Sequence, residues 1–268
     1  MRAGALRRIL PVLVVVALAL PSVAIAGGPG VNIRWDNCFD DSGVANKLFA
    51  CDTNTGAENL VLSFQLPSDL PSVSGEEMVV YFEAATPALP DWWQFKNAGT
   101  CRLTALTLGA APPPGTVNCL DWSQGGATGG IGAYTLGSPA KATLTAVAAV
   151  PGSSIQDLSG DTEYFAASLR ISHVKTVGTG ACGGCDVPVC IVFQSLNVVT
   201  PVSANNRKLF HGANWQGSQI ASWQNAYATN VTLTCNQFGG CETSFGCVAY
   251  DPTPTRASTW GAVKSLYR

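Results

Sequence analysis

Tyr164-Phe-Ala-Ala-Ser-Leu-Arg-Ile171 is the stretch on which the fold turns. Phe165, Ala167, Leu169 and Ile171 alternate with Tyr164, Ala166, Ser168 and Arg170, the period of two that puts successive side chains on opposite faces of a strand. The same period recurs on both sides of it. Leu60, Leu62, Phe64 and Leu66 alternate with Val61, Ser63 and Gln65, and Met78, Val80 and Phe82 repeat the pattern. Ala142, Leu144, Ala146 and Ala148 alternate with Lys141, Thr143 and Thr145. Arg102–Leu108, Val187–Val199 and Asn230–Cys235 are further strand candidates. Clusters of turn residues separate them, among them Ala110-Ala-Pro-Pro-Pro-Gly115 and Gly125-Gly-Ala-Thr-Gly-Gly130. No window reads as a long amphipathic helix, and the density of glycine and β-branched residues opposes one. Short strands that each hide one face predict an all-β fold, a β-sandwich of immunoglobulin-like or jelly-roll-like kind.

The N-terminus reads differently. Arg2, Arg7 and Arg8 precede an apolar run from Ile9 to Leu20, and Ala24 and Ala26 form an A-x-A pattern ahead of Gly27. The run falls short of the roughly 20 residues a membrane-spanning helix needs. Residues 1–26 are therefore expected to be a signal peptide, and the remaining 242 of the 268 residues an exported protein, extracellular, periplasmic or on the cell surface. Three arginines leave with the peptide, so 12 basic residues face 17 acidic ones, a formal charge of −5. A mildly acidic chain with only 12% charged residues lacks the Lys and Arg clusters that nucleic acids and anionic membranes attract. Residues 27–200 carry the strand pattern. Residues 201–268, rich in Asn, Gln, Trp and Cys with little alternation, are expected to be an irregular, disulfide-tied extension packed on the sandwich, with at most one further strand.

All ten cysteines follow the expected cleavage site, an even number that reads as a disulfide framework. Ten cysteines allow about 945 pairings, so spacing alone leaves the connectivity open. Proximity suggests Cys38–Cys51 and Cys101–Cys119, each closing a loop short enough to be worth about 3 kcal/mol. Cys182, Cys185, Cys190, Cys235, Cys241 and Cys247 have no assigned partners. Cys182-Gly-Gly-Cys185 has the spacing of a redox pair or metal clip. It lies in a Gly-rich loop rather than at a helix N-terminus, in a chain marked for export, so a hairpin-loop disulfide is the expectation. Residue 186 is Asp, where haem attachment requires His, and no other cofactor signature is present.

Candidate sites are few. Asp52-Thr-Asn-Thr-Gly56 with Glu58 resembles the start of a calcium loop, but position 12 is Ser63 rather than Glu. Asp52, Asn54 and Glu58 therefore form only a weak cation set, and local hydrogen-bond caps explain such residues in a turn. His173 continues the inward phase at a strand end and reads as a satisfied structural histidine. His211 lies in the extension without a nucleophile motif, and neither G-x-S-x-G nor H-E-x-x-H occurs. Trp92, Trp93, Trp215 and Trp223 sit among amide side chains, the setting in which indole faces stack on sugar rings; the alternative is that they plug the sandwich.

Cys182-Gly-Gly-Cys-Asp-Val-Pro-Val-Cys-Ile-Val-Phe193 and Thr259-Trp-Gly-Ala-Val-Lys-Ser-Leu-Tyr-Arg268 resemble segments of a group of exported bacterial proteins with no assigned activity. Arg34-Trp-Asp-Asn-Cys38 and Phe49-Ala-Cys-Asp-Thr-Asn-Thr-Gly56 resemble them more loosely. The resemblance implies export and a shared fold, and it transfers no functional residue. Three function classes follow. They are a non-enzymatic structural, surface or adhesion-type protein, a carbohydrate-binding sandwich using the four tryptophans, and a hydrolase with a carboxylate pair or a Ser/His pair. The first is the expectation, with glycans or other cell-surface proteins as partners and no cofactor.

Overall fold

The alternating segments become strands in a computed structural model that describes residues 29–98, 101–113, 115, 117–210, 217–236 and 241–249. In chain order the strands are β1 (Gly30–Trp35), β2 (Asn46–Lys47), β3 (Ala57–Gln65), β4 (Leu70–Val73), β5 (Gly75–Ala84), β6 (Leu106–Gly109), β7 (Leu120–Asp121) and β8 (Thr128–Leu136). They continue as β9 (Lys141–Ala149), β10 (Gln156–Leu158), β11 (Glu163–Ser172), β12 (Val189–Val199), β13 (Arg207–Leu209), β14 (Ile220–Trp223), β15 (Ala226–Cys235) and β16 (Cys241–Ala249). The helical turns among the described residues are short 3-10 turns, such as Asp91–Trp93.

Two sheets carry the core. One runs β1-β3-β11-β6, with β7 parallel to β11; the other runs β2-β14-β12-β5-β9-β8, with β13 also on β12. Leu60, Leu62 and Leu169 from the first sheet and Val80, Phe82 and Phe193 from the second belong to one buried cluster, so each sheet hides its apolar face against the other. Along one margin, β1 donates from Val31 N to Phe210 O (3.0 Å) and from Ile33 N to Ser218 O (2.8 Å). Phe210, just after β13, and Ser218, just before β14, thus cover that side of the sandwich. At the other margin β6 and β8 lie side by side.

The phase of β11 departs from the expected one. A bulge between Phe165 and Ala167 inserts one residue, so Tyr164 pairs with Phe64 on the inner face while Phe165 turns outward beside Val61 and Cys38. Ala167, Leu169 and Ile171 remain inside, as their period requires. Sequence periodicity cannot register a bulge, because one extra residue exchanges the two faces.

The region after residue 200 is more regular than expected. Residues 207–209 and 220–223 are strands of the second sheet, and β15 and β16 form a hairpin against its outer face, where Cys190, Val192, Ala226 and Phe245 are buried together. Gly125–Gly130 is only half a turn: from Thr128 it runs on as β8. Residues 1–26 and Thr259–Arg268 lie outside the described residues.

All ten cysteines are paired, but not as proximity suggested. The bonds are Cys38–Cys119, Cys51–Cys185, Cys101–Cys182, Cys190–Cys247 and Cys235–Cys241. Neither Cys38–Cys51 nor Cys101–Cys119 forms, and Cys182 and Cys185 do not pair with each other. Cys38 follows β1 and Cys119 precedes β7, and these strands border β3 and β11, which pair with each other, so topology brings the two together across 81 residues.

Candidate functional site

Most residues singled out from the sequence meet at one end of the sandwich. His173 leaves the end of β11 and is 6% exposed. Its Nδ1 lies 2.7 Å from Thr55 O and its Nε2 3.1 Å from Glu58 Oε1. Both ring nitrogens therefore face oxygen neighbours within the fold. Phe49 stacks on the imidazole with ring centroids 3.9 Å apart. With one nitrogen on a backbone carbonyl and the other on a carboxylate, His173 presents no lone pair to a substrate. It ties the Thr55 turn to the strand, the structural role its position suggested.

Glu58 continues the chain. Its Oε2 lies 2.8 Å from Lys47 Nζ, which also lies 2.8 Å from Asp36 Oδ2. Burial works against the Lys47 ammonium, but its hydrogen bonds to Asp36 and Glu58 outweigh this and raise its pKa. Asp36, Lys47, Glu58 and His173 thus join the segments after β1, in β2, in β3 and after β11. Glu58→Gln removes the charge from both interactions of a mostly buried carboxylate and is expected to cost about 2 kcal/mol. Asp36→Asn, at the exposed end, is expected to cost under about 0.5 kcal/mol. Urea denaturation of the two variants checks the contrast.

The calcium set does not assemble. Asn54 Oδ1 accepts from Thr176 N (2.7 Å) and Val177 N (3.0 Å), and its Nδ2 donates to Val177 O. It caps a turn. Glu58 is taken up by Lys47 and His173, Asp52 points to solvent, and no group of His, Cys, Asp and Glu among the described residues is arranged to hold a metal ion.

The tryptophans are core. Trp92, Trp93 and Trp223 are each 0% exposed, so none can stack on a sugar ring; Trp215 and His211 lie outside the described residues. Trp223 packs on Trp35, Trp92 and Trp93 at centroid distances of 5.6, 5.3 and 5.5 Å and donates from Nε1 to Cys185 O at 2.6 Å. Trp92 Nε1 donates to Thr176 Oγ1 (3.0 Å), whose hydroxyl donates to His173 O (2.6 Å). Indole and imidazole are therefore parts of one network, and the Cys51–Cys185 and Cys101–Cys182 bonds clamp its rim.

Arg102 completes the cluster and was visible in the sequence only as the start of a strand. It is 1% exposed. Its guanidinium carbon lies 3.6 Å from the Trp92 ring centroid and 5.3 Å from that of Phe95. Nη1 donates to Trp92 O at 2.6 Å and Nη2 to Ser172 O. No carboxylate among the described residues pairs with it, and burial lowers its pKa to about 9. Aromatic faces and main-chain carbonyls stand in for the missing acid. The arrangement braces loops; it places no nucleophile, base and oxyanion donor around a common point.

No protein-family model matches the chain, and neither a curated protein nor a solved structure matches it.

Proposed function

We propose that this protein is an exported, non-enzymatic surface protein that works by assembling through a sheet edge. The observation that carries the reading is β8. This nine-residue strand, Thr128-Gly-Gly-Ile-Gly-Ala-Tyr-Thr-Leu136, ends its sheet and pairs on one side only, with β9, among the described residues; β6 and the Lys96–Ala98 turn lie beside it without ladder pairing. The strand contains no charged residue and three glycines; Leu136 is 46% exposed, and so, at 51%, is Val147 of β9, opposite Gly130. Edge strands of monomeric proteins commonly carry Lys or Pro to block pairing, and β8 carries neither. Its occupant is a second copy: antiparallel β8–β8 pairing about a two-fold axis sets no charge against a like charge and satisfies the open backbone groups of both chains.

Five disulfides suit an oxidising compartment, and no helix among the described residues is long and apolar enough to cross a membrane. Both features, with the N-terminal pattern and the resemblance to exported bacterial proteins, support export. Light scattering over a range of concentrations tests the reading. The wild type is expected to associate, and Thr135→Lys, at an exposed position of β8, to remain monomeric with an unchanged melting temperature. A monodisperse monomer at every concentration, with no retention at the surface of the producing cell, overturns it.

A further inference from the structure

Glu76 is the second residue of β5 and continues, in phase, the inward row of Met78, Val80 and Phe82. It is 2% exposed, and neither carboxyl oxygen has a hydrogen-bond partner. Its partners across the sheet are Val198 of β12 and Ala148 of β9, which offer no donor side chain. The turn between β7 and β8 lies against it. Trp122 in that turn is 2% exposed and its indole N–H is likewise unpartnered. Asp121 supplies the charge that acts on Glu76, and it is a like charge. Asp121 is itself engaged, accepting from Ser123 N (2.8 Å) and Gly125 N (2.6 Å) to hold the turn. On β5 the remaining acids belong elsewhere: Glu77 accepts from Asn197, and Glu83 pairs with Lys141. No cation among the described residues pairs with Glu76.

Glu163, a half-buried acid, shows what is missing. Glu163 accepts from Ser63 Oγ (2.5 Å), Phe39 N (3.1 Å) and Asp40 N (2.9 Å), donors that hold a charge in place. Glu76 has only the Trp122 indole N–H nearby, outside hydrogen-bond geometry, so its ionised form would sit in apolar packing poorly compensated, an arrangement that costs several kcal/mol. Burial first, and Asp121 to a lesser degree, drive its pKa well above the ordinary 4.5, and the Trp122 indole tempers this only in part.

We propose that Glu76 makes the Asp121–Ala127 turn a pH-sensitive latch on the sandwich, closed while the carboxyl is neutral and loosened when it ionises. A charged Glu76 requires water or a realigned Trp122 N–H, and either displaces the turn that covers it. The folded protein holds a proton that the unfolded chain releases at a lower pH. Stability is therefore full below the unfolded carboxyl's range and is lost as pH rises through the folded value. Acidic surroundings tighten this end of the molecule, and neutral surroundings loosen it.

Thermal melts and amide hydrogen exchange at pH 4.5 and 7.5 test this on the wild type and on Glu76→Gln, which keeps the shape and removes the charge. The wild-type melting temperature is expected to drop by about 5 °C or more between the two pH values. E76Q is expected to match the wild type at pH 4.5, to exceed it by a similar margin at pH 7.5, and to keep only the slope due to Glu163, whose pKa burial also raises. Amides in 121–127 of the wild type are expected to exchange about tenfold faster at pH 7.5, after correction for intrinsic rates, and those of E76Q not to. Parallel pH slopes in the two proteins, or an E76Q less stable than the wild type at pH 7.5, overturn the proposal. Glu76→Met, of similar volume and without polar atoms, is expected to behave as E76Q does and separates loss of charge from any demand of the amide.

Discussion

Replacing Cys51 and Cys185 together by serine is expected to lower stability by about 4 kcal/mol, about twice the loss from replacing Cys235 and Cys241. The Cys51–Cys185 bond joins residues 134 apart in sequence. The unfolded chain does not experience that full distance, because Cys38–Cys119 and Cys101–Cys182 remain closed. The shortest covalent path runs 13 residues back from Cys51 to Cys38, across to Cys119, 18 back to Cys101, across to Cys182, and three more to Cys185. A loop of about 34 residues restrains the unfolded state by about 4 kcal/mol in the chain-entropy model, and the six-residue separation of Cys235 and Cys241 by about 2 kcal/mol. The native state adds to the difference, since Cys185 is buried and its carbonyl accepts the Trp223 indole, whereas Cys235 is at the surface end of a hairpin. Urea denaturation without reductant, followed by tryptophan fluorescence, reads both losses. Equal losses would show that the buried clamp adds nothing beyond the hairpin staple. A non-reducing peptide map is expected to recover Cys51 linked to Cys185 and Cys101 linked to Cys182.

Trp223→Ala is expected to cost about 3 to 5 kcal/mol, among the largest effects of any single substitution in the chain. The indole touches three other tryptophans and lies 5.8 Å from Phe49, the ring that stacks on His173. Its removal leaves a void between the sheets, exposes the Cys185 carbonyl to an apolar space, and loosens the seat of Phe49. Trp223→Phe keeps most of the volume and is expected to cost under about 2 kcal/mol. The ratio is diagnostic. A sugar-stacking platform loses ligand and keeps stability when its indole is truncated, whereas a core indole does the reverse. An alanine variant that unfolds at the wild-type urea concentration would remove Trp223 from the load of the core and reopen its role as a surface.

These two predictions rest on different kinds of legibility. Leu60-Val-Leu-Ser-Phe-Gln-Leu66 and Ala142 to Ala148 could be assigned to strands and faces from the order of residues alone, because a pleated backbone turns alternate side chains to opposite sides wherever it runs. The same rule placed His173 on the inner face at a strand end. Glu76 left a readable trace too: an acid in phase with Met78, Val80 and Phe82 is a polar group committed to the interior. What could not be read was every feature that depends on two distant segments meeting. Asp36, Lys47 and Glu58 are ordinary charges in sequence and become a chain only when β1, β2 and β3 converge. Arg102 is a lone cation until Trp92 lies under it.

The amino-acid order by itself determined that the chain is built of strands, which face of most of them is buried, and that ten cysteines would form a framework, since each follows from local geometry or composition. Tertiary structure alone decided which cysteines meet, that Trp92, Trp93 and Trp223 are interior, where the bulge in β11 exchanges Phe165 for Tyr164, and which strand is left at an open edge. The reason is physical. Periodicity is a property of neighbours along the backbone, whereas a disulfide, an aromatic cluster and a sheet margin are set by strand order, which connects residues tens to more than a hundred positions apart.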